Sequence, residues 1–249
     1  MDKRFASNVT AVMTRELWGY FGSPIAYVFI VIFLLLCGFF TFNISKFFES
    51  GQADLRPFFE WHPWIFLFLV SAVAMRLWAD ERKSGTMELV LTLPLSLTQA
   101  ILGKFLAAWI FLGVALFLTF PLVITVIYLG DPDLGAVFSG YVGSLLLAGA
   151  YLSIGAMTSA MTKNQVISFV LSVVIGLFLV MAGWPPVTDA LADYLPRVVI
   201  DLISGFSIMT HYMGMQKGVL DLRDFLYYFS LMSFMLVLTG VILTGRRSS

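Results

Sequence analysis

Apolar residues occupy six long blocks separated by short polar segments. A helix needs about 20 mostly apolar residues to cross about 30 Å of hydrocarbon. The blocks Ile25–Ser45, Phe58–Ala79, Ile101–Leu129, Val137–Met161, Val166–Trp184 and Phe225–Thr244 have that character. They predict an all-α membrane protein with six transmembrane helices. The third block is longer than a bilayer requires, so it should tilt or extend beyond it. No intervening stretch is long enough for a soluble domain, and residues 1–249 read as a single transmembrane domain.

Two polar-patterned regions predict helices that do not span. Ahead of the first block, Val9, Val12, Met13, Leu17 and Tyr20 recur at three- and four-residue spacing, with Arg15 and Glu16 off that stripe. This predicts an N-terminal amphipathic interfacial helix over about residues 8–22, with Trp18 beside the stripe. Gly22, Ser23 and Pro24 should break it. Residues 1–23 read as mature chain, because no small-x-small cleavage site follows the first apolar run. Between the fifth and sixth blocks, Trp184-Pro185-Pro186 should end the fifth span. Val187–Tyr194 and Val198–Met209 are too short to span and too apolar for a free loop. They predict short external re-entrant or interfacial helices, with Trp184, Tyr194, Phe206 and Tyr212 at headgroup level.

Composition agrees with the pattern. The chain is 59% hydrophobic and 12% charged, with a mean hydropathy of +0.92, against about 25% charged residues in soluble domains. Formal net charge is zero, so the balance points to no nucleic acid partner, and the placement of charge is more informative. With the N-terminus inside, Lys3, Arg4, Arg15, Arg76, Arg82, Lys83, Lys104, Lys163, Arg246 and Arg247 are cytoplasmic. Only Lys46, Arg56, Arg197, Lys217 and Arg223 are external. Positive residues concentrate on the cytoplasmic side, so both termini are expected in the cytoplasm and the chain in a bacterial inner membrane. In the fourth block, Ser144 and Ala148, Gly149 and Ser153, Gly155 and Ser159, and Ala156 and Ala160 are each four apart. That spacing lets backbones approach closely, within one subunit or at a dimer seam.

Candidate chemistry is sparse. No phosphate-binding loop occurs: Gly103-Lys104 is followed by Phe105, without the upstream glycine or the hydroxyl. Gly-x-Ser-x-Gly is absent, and the single Cys37 excludes a disulfide framework. His62 lies at the external mouth of the second span and His211 in the external segment near Asp201 and Asp221. Convergence of His62, His211 and Glu60 on a metal is the minor reading; interfacial polar residues beside aromatic belts is the major one. No ionisable residue sits at mid-span, since Arg76 and Lys104 fall near predicted ends. The usual signature of ion-driven transport is therefore missing. The expectation is no catalytic, cofactor-binding or metal-binding residue in this chain.

The segment between the second and third blocks is the most distinctive. Asp80, Glu81, Arg82 and Lys83 form a mixed charge cluster, and Ser84-Gly85 permits a sharp turn. Thr86 can cap a helix starting at Met87, with Glu88 favourable in its first turn. Leu89, Leu91, Leu93 and Leu95 are too apolar for water, Pro94 stops the helix, and Ser96 or Thr98 caps the next. A short helix presenting an apolar face marks a partner site; lying flat on lipid is the alternative.

Glu81-Arg82-Lys83-Ser84-Gly85-Thr86-Met87-Glu88-Leu89-Val90-Leu91-Thr92-Leu93-Pro94, followed by Gly103-Lys104-Phe105, resembles the signature region of type-2 ABC transporter permeases. The amphipathic helix, six spans and external short helices resemble the same family. Gly22-Ser23-Pro24-Ile25-Ala26-Tyr27-Val28 and Gly218-Val219-Leu220-Asp221-Leu222-Arg223-Asp224 resemble its gliding-motility-type permease subunits. The resemblance implies a permease subunit of an ATP-driven export complex that is not itself an enzyme. ATP and Mg would bind a separate cytoplasmic ABC ATPase. It implies pairing with a second permease copy or related permease, and work with a membrane protein bearing a large external domain. Asp80, Glu81, Arg82, Lys83, Gly85, Thr86, Glu88, Leu89 and Leu91 would then couple to the ATPase, and the helix carrying Val12, Arg15, Glu16 and Trp18 would move with them. Trp184, Pro185, Pro186 and Phe206 would form an external gate. Two other classes compete: a force- or signal-transmitting subunit of an envelope machine that moves no solute, and an intramembrane enzyme using His62 or His211.

Overall fold

The computed structural model describes residues 3–49, 51, 53–85, 95–192 and 194–245, and these contain helices and no strands. Helix α1 (Lys3–Phe21) begins five residues before the expected start. Its end is built as the sequence predicts. Gly22 makes the turn, and the Ser23 hydroxyl accepts from the Ile25 amide at 3.3 Å as the N-cap of α2 (Pro24–Phe39). Pro24 sits at the first helical position, where its missing N–H costs nothing. A π-helical segment, Phe40–Ile44, extends α2. There Thr41 Oγ1 donates to the Cys37 carbonyl at 2.6 Å, a local back-bond that competes with the regular ladder.

The chain continues through α3 (Arg56–Glu60), α4 (His62–Ala74) and α5 (Arg76–Ser84), then α6 (Leu97–Phe117) and α7 (Phe120–Leu129). It ends with α8 (Leu134–Met161), α9 (Gln165–Met181), α10 (Pro185–Ala192), α11 (Arg197–Gly205), α12 (Ile208–Gln216) and α13 (Leu222–Gly245). Among the described residues, five helical stretches are long and apolar enough to cross a membrane: Pro24–Ile44, His62–Ser84, Leu97–Leu129, Leu134–Met161 and Leu222–Gly245. The number rises to as many as seven if two bent pairs each count, α9 with α10 (61°) and α11 with α12 (75°).

The breaks differ from the expected blocks for identifiable reasons. The third block is two helices, because Pro121 can donate no hydrogen bond to the preceding turn. Thr119 fills the gap, donating to the Leu116 carbonyl at 2.6 Å. Pro185 starts α10 as well as stopping α9, using proline's tolerance at a first turn. The stretch expected as one helix over Val198–Met209 is divided at Phe206, and Ser207 caps α12 by accepting from the Met209 amide at 3.1 Å.

Helix α8 is the central column. Its small residues receive neighbours from the same chain, which settles the open question about the ladder in favour of packing within the subunit. A Cβ on Gly140 would meet the Phe59 ring at 2.5 Å, and one on Gly149 would meet Met232 Sδ at 2.6 Å. Gly155 lies directly against Ala74. Polar groups inside the bundle bond to one another. Ser71 and Ser172 hydroxyls are 2.8 Å apart, joining α4 to α9, and Tyr151 donates to the Pro63 carbonyl at 3.0 Å. Apolar residues such as Leu35 on α2, Phe178 on α9 and Val237 on α13 remain exposed, a surface suited to lipid rather than water.

The end opposite α1 is closed by α12. Tyr212 donates to the Phe59 carbonyl at 3.0 Å, and Ser139 donates to the Met215 carbonyl at 2.7 Å. His62 is fully buried there, its Nδ1 2.8 Å from Ser144 Oγ and its ring stacked on Phe66. It is a core histidine rather than one in an aromatic belt. His211 pairs with Asp224 at 2.7 Å, not with Asp201 or Asp221, and its other nitrogen faces the Gly205 carbonyl at 3.2 Å. The two histidines bond different partners, and no group of three His, Cys, Asp or Glu suited to a metal occurs among the described residues.

Candidate functional site

Three elements meet at the α1 end: α1 itself, α5 at the end of the second apolar stretch, and the start of α6. The start of α6 is fixed by a capping box in which Ser96, not Thr98, is the N-cap. Ser96 Oγ accepts from the Gln99 amide at 3.3 Å, and Gln99 Oε1 accepts from the Ser96 amide at 2.9 Å. The same Gln99 oxygen accepts from Asn8 of α1 at 3.3 Å. One turn on, Gly103 lets α1 lie directly on α6: a Cβ there would come within 2.6 Å of Val12 Cγ1. Val12 is buried in consequence, Val9, Met13, Leu17 and Tyr20 are half-buried, and Trp18 points outward. The amphipathic stripe is thus covered by protein.

Lys104 follows Gly103 and is 5% exposed. Its ammonium lies 3.2 Å from Glu16 of α1 and 2.7 Å from Glu81 of α5, and 5.4 Å from the centre of the Trp78 ring. Arg15 closes the chain of charges at 2.8 Å from Glu16. Burial alone would raise the Glu16 carboxyl, but Lys104 and Arg15 outweigh it and hold the group below its ordinary value. A buried ammonium between two carboxylates on different helices is a clamp: removing the lysine leaves both carboxylates without it.

Helix α5 is also held by α8 and α9. Ser159 Oγ accepts from the amides of Trp78 and Ala79, each at 3.0 Å, and donates to the Met75 carbonyl at 2.9 Å. Arg82 donates to the Ala160 carbonyl at 2.5 Å, in the last turn of α8 where the helix dipole favours a cation. Gln165 donates to Asp80. The charge cluster read from the sequence is therefore divided. Asp80, Glu81 and Arg82 turn toward three different partners in the bundle, and Lys83 is exposed. Gly85 ends α5 in the left-handed conformation at φ 73°, as the sharp turn demanded. Thr86, Glu88, Leu89 and Leu91 lie outside the described residues.

At the other end, Trp184 packs edge-on against Trp64, with ring centres 5.4 Å apart. Pro185, Pro186 and Phe206 are exposed, and the Phe206 carbonyl accepts from Tyr227 at 2.7 Å.

Sequence reasoning quoted Glu16, Glu81 and Lys104 separately and did not join them. The expectation that Glu16 lies off the apolar stripe is corrected: it is four residues from both Val12 and Tyr20, a signal that it shares their face of α1, and it meets Lys104 there. The grip of Ser159 and Gln165 on α5 had no comparable signal.

No curated protein matches the chain significantly. The family model described as ABC-2 family transporter protein matches residues 25–247, leaving out α1 and the last two residues. The chain belongs to the ABC-2 transporter family, whose domains are the membrane components of ABC systems and not the ATPase itself.

Proposed function

We propose that this chain is the permease subunit of an ATP-driven export complex in a bacterial inner membrane, with the α1 end in the cytoplasm. In this reading the six spans are α2, α4–α5, α6–α7, α8, α9 and α13, and α10 to α12 form an external cap. The bias of Lys and Arg toward the α1 end supports the orientation. At 17 residues α9 is short, yet within the range that crosses a bilayer.

One observation carries the coupling role: the Lys104 clamp joins α1, α5 and α6 beside both ends of the 86–94 segment. A cytoplasmic ATPase that binds Mg-ATP and grips that segment through Gly85, Thr86, Glu88, Leu89 and Leu91 thereby pulls on three helices at once. In this reading Lys83, which is exposed, meets the ATPase surface, while Asp80, Glu81 and Arg82 pass the movement inward. The mutual bonding of the buried serines, tyrosines and His62 supports a path between two permease subunits, identical or related, rather than through one. Trp184, Pro185, Pro186 and Phe206 are its outer gate. The gliding-motility-type resemblance adds a partner with a large external domain.

The test is ATPase stimulation in nanodiscs holding the permease with its cognate ATPase. Glu81→Lys, which sets two cations together in the clamp, and Gly85→Val, which strains a positive φ, are expected to abolish stimulation while both proteins still insert. Normal coupled activity in both variants refutes the assignment. Coupled ATPase without ATP-dependent movement of any labelled substrate in liposomes favours a subunit that transmits force only.

A further inference from the structure

A cavity of about 430 Å³ lies beside the clamp, between α1, α2, α4, α5 and α6. Its inner wall is apolar, formed by Ala26, Phe29, Val73 and Phe111. It reaches the surface, because Ile25 and Arg76, both exposed, also line it. Its volume is in the range of small-molecule sites.

The polar groups at its rim are unusual in what they lack. Arg76 has no hydrogen-bond or ion-pair partner among the described residues, and neither does the Tyr20 hydroxyl, although the charges of Glu16 and Arg76 both reach that buried phenol. Asp80 accepts from Gln165 but has no cationic partner among the described residues. Arg76 and Asp80 occupy positions i and i+4 of α5, about 5–6 Å apart at Cβ, and still form no salt bridge. Arginine ahead of aspartate is the poorer order for a helical pair. By contrast, the remaining charges at this rim, Glu16, Glu81 and Lys104, are bound into the clamp.

We infer that this cavity binds a glycerophospholipid with a primary-amine headgroup, its phosphate on Arg76 and Tyr20 and its ammonium on Asp80, from the leaflet on the α1 side. Donors and an acceptor side by side match a zwitterion. A headgroup carrying only negative charge leaves Asp80 facing it without a counter-ion, and a quaternary ammonium has no N–H to give Asp80. The apolar wall takes the glycerol and the first methylenes, and exposed Ile25 continues that surface toward the bilayer. The inference goes beyond the coupling role and does not depend on the direction of transport.

The experiment is lipid retention by native mass spectrometry on detergent-purified full-length protein, after exchange against equimolar phosphatidylethanolamine, phosphatidylglycerol and phosphatidylcholine. The wild-type chain is expected to retain phosphatidylethanolamine preferentially. Arg76→Gln and Asp80→Asn should each reduce that retention about tenfold, the loss of one charge-assisted hydrogen bond, and Arg76→Lys should restore part of it. Free glycerophosphoethanolamine should not compete, since it lacks the apolar part. Equal retention of the three lipids by the wild type, a comparison that needs no variant, overturns the proposal. So does unchanged retention in both variants, or full competition by the free headgroup.

Discussion

At the scale of single residues, Lys104 is the most exacting position in the chain. Lys104→Met strands the Glu16 and Glu81 carboxylates together in a buried site. It should cost about 3 kcal/mol or more, the usual consequence of breaking one side of a buried ion pair. Adding Glu16→Gln and Glu81→Gln to Lys104→Met should recover most of that loss, because no buried charge is then left alone and Arg15 is exposed to water. Thermal unfolding in detergent decides the matter; a triple variant no more stable than the single one refutes the clamp. The cluster also has a pH signature. The Glu16 carboxyl is held below its ordinary value of 4.5, so its contribution is complete above pH 4.5 and is lost as pH falls through the lowered value. The wild type should therefore lose stability below pH 4.5 more steeply than Glu16→Gln. Parallel curves would contradict the pairing.

At the scale of helices, the contact of α1 with α6 depends on one missing Cβ. Gly103→Val should drive α1 off its seat by collision with Val12, and Val12→Ala in the same chain should let it return. Protease cleavage between α1 and α2 reports the difference: fast in the single variant, slow in the double. Failure of the second substitution to slow it argues for another seat. Much of this level was legible in advance. The turn at Gly22-Ser23-Pro24 and the end of α5 at Gly85 follow from local chemistry that needs no tertiary context, and the cap of α6 was narrowed to Ser96 or Thr98. Breaks inside apolar stretches were not, because hydropathy is blind to Pro121 and to Ser207, and nothing in the first apolar run marks the π-helical segment at Phe40–Ile44. The clamp was half legible. Its residues were visible, but their meeting across 88 positions is set by packing that no periodicity reveals. His62 was misplaced for the same reason, since nothing in Glu60-Trp61-His62-Pro63 announces the hydroxyls of Ser144 and Tyr212.

At the scale of the whole molecule, α8 binds most of the bundle into one body, and α12 of the cap is tied to it through buried hydrogen bonds at Tyr212 and Met215. Tyr212→Phe removes the donor to the Phe59 carbonyl and the hydroxyl contact with Ser144. It should cost about 1–3 kcal/mol, and faster hydrogen exchange should be confined to α10 to α12. Exchange that rises throughout the bundle would mean that the cap is not a separate unit. The charged end is tied differently, through the joint between α4 and α5. Ser159 has entered the ladder of that helix, taking the Trp78 and Ala79 amides and the Met75 carbonyl for itself. Such an insertion bends a helix without leaving a backbone group unmet. Withdrawal of Ser159 would leave the Ala79 N–H and the Met75 C=O free to bond each other, i to i−4, as in any straight helix. The joint between α4 and α5 thus keeps its backbone bonded through a side chain supplied by α8. In the proposed coupling role, a thrust arriving along α5 would reach the central column through Ser159 before it travelled down its own helix.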